Sequence, residues 1–249
     1  MKSQKPAWWQ FLSNDGSFKV ANPDQFSRLY FPLANEAGLL SSISPDLHGD
    51  IKTSHNSFLT PPISVDDLHN TKSSRNFWIY LKARRLAWSA TGMSAWQQAG
   101  RLQKTKSETV SLEAGFLWHK VTRINKTLGL RSEIVNFAPV SRHPVELMMI
   151  TITNLSSRTQ DIVPTCAIPI FARSADNLRD HYHVTSLLQR IVWHKAGVIV
   201  KPTMSFDERG HKLNELCYCV LGFAGNGRVP RGAFSTLPEF IGEGGNLEA

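Results

Sequence analysis

From about Thr109 onward, apolar and polar positions fall into short runs rich in β-branched and aromatic residues, each closed by turn residues. The runs are "GFLWHKVTRI", "LGLRSEIVNF", "VELMMITITNL", "DIVPTCAIPIF", "RIVWHKAGVIVKP" and "LCYCVLGFAG". Alternation is clearest in "VELMMITITN", which places Val145, Leu147, Met149 and Thr151 on one face and Glu146, Met148, Ile150 and Ile152 on the other. Both faces are largely apolar, the pattern of a strand between two layers, so Leu147, Met149, Ile168 and Leu221 are expected to be buried. The connections "NKTLG", "PVSRHP" and "NLSSRTQ" hold the Asn, Gly, Pro and Ser of tight turns. This pattern predicts an all-β fold, a large antiparallel β-sandwich with few short helices. The first half adds the strands "SFKV", "RLYFP" and "FWIYLKARRLAWSAT", and the best helical stretch is the short "SADNLRDHYHVTSLLQR".

Leu29 to Trp78 breaks the pattern: it is dense in Ser, Asn, Asp, His and Pro, with brief apolar patches. Loops of more than about 12–15 residues are uncommon in compact domains and are either functional or disordered. The apolar anchors Leu29, Tyr30, Phe31, Leu33, Phe58, Leu59, Phe77 and Trp78 argue against disorder. An ordered polar excursion is expected there.

Length and charge narrow the reading only slightly. At 249 residues and 41% hydrophobic content, one large β domain with a sizeable core is expected. A net charge of +8 permits phosphate-bearing partners, yet the Lys and Arg are scattered in ones and twos, so neither nucleic acid nor membrane is expected as a partner. Cys166, Cys217 and Cys219 read as reduced core thiols, the last two facing one side of a strand. The opening "MKSQKPAWWQFL" lacks the features of a signal peptide, and no apolar run reaches the ~18 residues of a membrane span, so the cytoplasm is the expected location. The sequons at Asn125 and Asn154 then carry no glycan.

The carboxylates Asp46/Asp50, Asp66/Asp67 and Asp176/Asp180 have the residue type of glycoside hydrolysis, but Asp in loops is more often a turn-former or cap. His181 and His183 form an HxH without a recognisable third ligand, so no metal is expected. The chain has no GxSxG, P-loop or GxGxxG. Seven Trp residues favour a sugar-binding surface slightly, with one or two expected to face ligand.

The segments "YFPLANEAGLLSSISPDLHGDIKTSHNSFLTPPISVDDL", "SSRNFW", "AWSATG", "ADNLRDHYHVTSLLQR" and "FIGEGGNLEA" resemble the amino-terminal domain of the cellobiose phosphorylase-like inverting glycoside phosphorylases, the glycosyltransferase 36 type. The likeness covers essentially the whole chain and leans toward the β-1,3-oligoglucan branch. It implies a galactose-mutarotase-like supersandwich over residues 1–228. Residues 229–249 would then start a linker to an (α/α)6 catalytic barrel that this sequence does not contain.

In complete members of such a family, an Asp of the barrel protonates the glycosidic oxygen while inorganic phosphate attacks the anomeric carbon from the opposite face, giving α-glucose 1-phosphate. No cofactor is implied beyond phosphate as co-substrate. No catalytic residue is expected in 1–249, so the chain alone is expected to be inactive. The implied role is carbohydrate binding and homodimer formation, with a β-glucan di- or oligosaccharide as partner. The acceptor-sugar Arg of cellobiose phosphorylases falls near Tyr182 or His183, which leaves Asp176, Arg179, His181, Tyr182 and His183 as candidate sugar contacts. Asn35, Glu36, Asp50, Asn56, Asp66 and Arg75 are candidates for an interface with barrel and partner subunit, or for a network holding their own loop. The competing reading is a free-standing carbohydrate-binding β-sandwich module without catalysis.

Overall fold

A computed structural model describes residues 8–25, 29–63, 75–103, 108–178, 184, 187–207, 210–234 and 239–240. It is mostly β, and every strand pair is antiparallel. The largest sheet has the order β1 (Trp9–Phe11), β2 (Phe18–Ala21), β9 (Glu108–Gly115), β10 (Trp118–Asn125), β11 (Leu130–Phe137), β12 (Leu147–Asn154). Its last three connections are hairpins, as the turn signals require.

The polar stretch is itself largely sheet. β3 (Phe31–Ala34), β4 (Leu40–Ile43), β5 (Ile51–Ser54) and β6 (Ser57–Phe58) form a four-stranded meander whose inward residues Leu33, Ile43, Ile51 and Phe58 are buried. A third sheet, in the order β13 (Ile162–Ala167), β7 (Asn76–Leu81), β8 (Leu86–Ser89), packs into the same core. Leu33 and Ile43 of the meander, Ile79 and Trp88 of the third sheet, and Leu112, Val121 and Ile134 of the largest sheet belong to one buried cluster. Burial of apolar area between facing sheets is what holds such layers together. A smaller cluster of Ala172, Val200 and Tyr218 lies under the sheet β14 (Gln189–His194), β15 (Gly197–Pro202), β18 (Tyr218–Leu221). β16 (Met204–Asp207) and β17 (Gly210–Leu213) pair as a hairpin.

Several expectations are corrected. "FWIYLKARRLAWSAT" is not one strand: Lys82–Arg84 form a 3-10 turn between β7 and β8, and Arg85 takes the left-handed conformation at φ 50° that closes it. The helix α1 (Ala95–Leu102) arises where none was expected, opened by a capping box of Ser94 and Gln97. The stretch "SADNLRDHYHVTSLLQR" stands apart from these corrections: Ala175–Leu178 form a 3-10 turn and Val184 and Leu187 are helical, while residues 179–183 and 185–186 lie outside the described residues.

Leu147, Met149 and Leu221 are exposed (42%, 56% and 44%), because β12 and β18 are the edge strands of their sheets and their outer faces meet no second layer. Ile168 is half-buried. The three cysteines are free thiols on exposed residues and do not belong to the core: Tyr218 holds the inward position between Cys217 and Cys219, and Cys166 lies on β13, the edge strand of its sheet.

Candidate functional site

The polar residues of the opening stretch separate into two kinds. Asn35, Asp50 and Arg75 are bonded into the fold. The Asn35 carboxamide accepts from the Ala37 and Leu39 N–H groups and donates to the carbonyls of Pro139 and His143, fastening the β3–β4 turn to the loop before β12. Asp50 accepts from the Ser42 hydroxyl and pairs with Lys52 at 3.5 Å.

Arg75 is 1% exposed. It donates to the Leu47 and Gly49 carbonyls and the Ser41 hydroxyl, and forms a forked pair with Glu146. These contacts satisfy carbonyls that a curved segment cannot pair in a ladder. Glu36 is exposed at the β3–β4 turn, and Asp66 lies outside the described residues.

The second kind gathers at the β5–β6 turn. The loop after β13 returns to this turn: Phe58 N–H donates to the Arg173 carbonyl at 2.9 Å, and Ala175 N–H donates to the His55 carbonyl at 3.1 Å. That backbone ladder brings Asp176 Oδ1 within 3.2 Å of His55 Nε2, while the Ser174 hydroxyl lies 3.2 Å from Asn56 Oδ1 and 3.3 Å from Asp176 Oδ2. Ser174 and Asn177 are buried; the His55 and Asp176 side chains are 67% and 32% exposed. The result is a supported, half-open acid and imidazole pair with Asn56 beside it. It can present both hydrogen-bond donors and acceptors outward.

Asp176 and Asn56 are thus brought together, with His55 as a third member that sequence reasoning missed. The "SHNSF" motif held the signal, since His55 precedes Asn56. Arg179, His181, Tyr182 and His183, which follow directly on this loop, lie outside the described residues.

A buried polar layer supports the fold behind these surfaces. Glu108 accepts from the indole of Trp88, the amides of Gln97 and Asn125, and the guanidinium of Arg123 at 2.8 Å. Burial alone pushes its carboxyl up, but Arg123 and these donors outweigh burial and hold it below the usual range. Burial likewise pushes Asp46 up, yet His48 and the Ser44 hydroxyl bring it down to about 2. His119 is fully buried beside Phe31, and burial together with the Arg75 charge lowers its imidazole to about 3.

No protein-family model and no curated protein matches the chain.

Proposed function

We propose that the chain is the amino-terminal carbohydrate-binding and dimerisation domain of an inverting glycoside phosphorylase that cleaves β-glucosidic di- or oligosaccharides with phosphate to give α-glucose 1-phosphate. One observation carries the reading furthest. "SHNSF" and "ADNL", drawn from two of the segments on which the resemblance rests, lie about 120 residues apart and are brought together by the His55–Asp176 contact and the adjoining Phe58–Arg173 bridge. Together they form one polar surface at the end of an antiparallel β scaffold, where a sugar's hydroxyls would find both donors and acceptors. In this reading the surface grips and orients the acceptor sugar, while acid catalysis and phosphate binding belong to the barrel.

The test has two arms. The purified chain is expected to release no glucose 1-phosphate from cellobiose or laminaribiose, because binding groups without transition-state groups give no rate. Joined to an (α/α)6 catalytic barrel of such a phosphorylase, the chain is expected to catalyse that phosphorolysis. A folded, joined protein that turns over neither disaccharide, or a coding sequence with no barrel beyond codon 249 in any frame, would overturn the proposal.

A further inference from the structure

An open, partly apolar cleft lies on the β14–β15–β18 sheet. Cross-strand partners there are Ile191 with Val200 and Trp193 with Val198, so these four side chains share one face. Toward one end of that face, Val200 and Tyr218 are covered by Ala172 and belong to the smaller core. At Trp193 the cover stops. Ile191 and Trp193 are 53% and 48% exposed on the edge strand. The chain comes back opposite them at Arg231, Gly232 and Ala233, and these six residues with Val198 among them bound an open cleft of about 270 Å³.

Each wall has a chemical meaning. Gly232 and Ala233 bring backbone close without filling the space. Arg231 makes no hydrogen bond or ion pair with any described residue, so its planar fork of N–H donors is unspent. Trp193 offers a rigid, flat, apolar wall. A ligand complementary to this set has a flat apolar face bordered by oxygen acceptors, which describes a pyranose ring with its axial C–H groups and equatorial hydroxyls. The volume sits at the small end of the roughly 300 Å³ at which ligand clefts begin, enough for a ring or two and not for a long chain.

We propose that this cleft is a saccharide subsite that seats one glucosyl ring of a β-linked gluco-oligosaccharide on Trp193, with Arg231 donating to its hydroxyls. The glucan class rests on the proposed function; the subsite itself rests on the cleft. Such a site holds a distal part of a longer chain and raises affinity for oligosaccharides over disaccharides.

The experiment is calorimetric titration of the purified chain with laminarihexaose and cellohexaose, maltohexaose and glucose 1-phosphate serving as comparisons. Trp193→Ala is expected to weaken binding of the preferred β-linked hexaose roughly tenfold or more, and Arg231→Gln to weaken it severalfold. Trp8→Ala, which removes another exposed indole, leaves it unchanged. All three positions are solvent-exposed, so unaltered thermal transitions are expected and show that the variants fold.

Undiminished binding in Trp193→Ala, no binding of either β-linked hexaose by the folded parent, or binding of glucose 1-phosphate alone would each overturn the subsite. No turnover is involved, so this outcome is independent of the phosphorolysis test above.

Discussion

Arg75 and Glu146 form a close ion pair, with Nε 2.7 Å from Oε1 and Nη2 donating to Oε2 at 3.0 Å, and only 1% and 4% of their side chains reach solvent. The pair joins the polar meander to the segment that enters β12. Removing one partner leaves the other charge buried and unmet, which costs about 3–5 kcal/mol. Glu146→Ala is therefore expected to lower the free energy of unfolding, read from urea titration, by that amount. The double variant Arg75→Met with Glu146→Leu is expected to recover much of the loss, since a buried pair adds little over apolar packing. A loss below about 1 kcal/mol in the single variant would mean that water reaches Arg75.

The second prediction concerns acid. His119 stays neutral in the fold down to about pH 3, whereas the unfolded chain takes up that proton near the ordinary imidazole value of 6.5. The unfolded state thus binds more protons in that interval, and stability falls as pH drops from about 6.5 toward 3. Asp46 acts lower: its stabilisation is complete above its unfolded value of 3.8 and is lost only toward about 2. The stretch from pH 6.5 to about 4.5 therefore isolates the histidine. Urea midpoints measured across it should slope downward in the parent and flatten in His119→Gln. Equal slopes would place the acid sensitivity elsewhere.

Gly92 has φ +82°, and a Cβ there would lie 2.5 Å from the guanidinium carbon of Arg123. Arg123 is fully buried between Glu108 and Asp24, with little room to retreat. Gly92→Ala is expected to combine about 1–2 kcal/mol of left-handed strain with about 1–3 kcal/mol of overpacking. Gly16 is the control: its φ is +84° but nothing lies within 4 Å, so Gly16→Ala should show the strain alone. Thermal or urea unfolding of the two variants makes the comparison, and equal losses would refute the crowding at Arg123.

The strands of the second half can be read from the sequence because period two and turn residues are local signals. Which face turns inward is a different matter. Burial alternates cleanly along β10, yet its apolar residues do not mark the inner face: His119, Val121, Arg123 and Asn125 are buried while Trp118 and Ile124 face the other way. The polar residues go inside because their partners come from far along the chain, Asp24 and Glu108 for Arg123 and Glu146 for Arg75, and no local pattern announces them. The polar meander is hidden for the same reason: buried Ser, Thr and Arg side chains close its ladders among the inward Leu33, Ile43, Ile51 and Phe58, which breaks up the apolar stripe in sequence. At the candidate site, residue types in single segments point to Asp176 and Asn56. The contact between His55 and Asp176 spans 121 positions and depends on the Phe58–Arg173 bridge, so only the fold reveals it.

The outer face of the largest sheet yields the last prediction. Strand register places Gly115, Trp118, Phe137 and Leu147 in one row and Glu113, Lys120, Val135 and Met149 in the next. Phe116 at the β9–β10 turn is 85% exposed and Val140 in the β11–β12 loop is 89% exposed, at the same end of the sheet as Leu147 and Met149. Contiguous apolar groups beside an unpaired edge strand favour contact with other chains. The purified chain is therefore expected to scatter more light as its concentration rises. Replacing Phe116 with Ser and Met149 with Lys should suppress that rise while moving the unfolding free energy by no more than about 0.5 kcal/mol, as befits side chains that pack on little. Concentration-dependent scattering that persists in the double variant would place the association on another surface. A large loss of stability would mean that this face is packed in solution and not open.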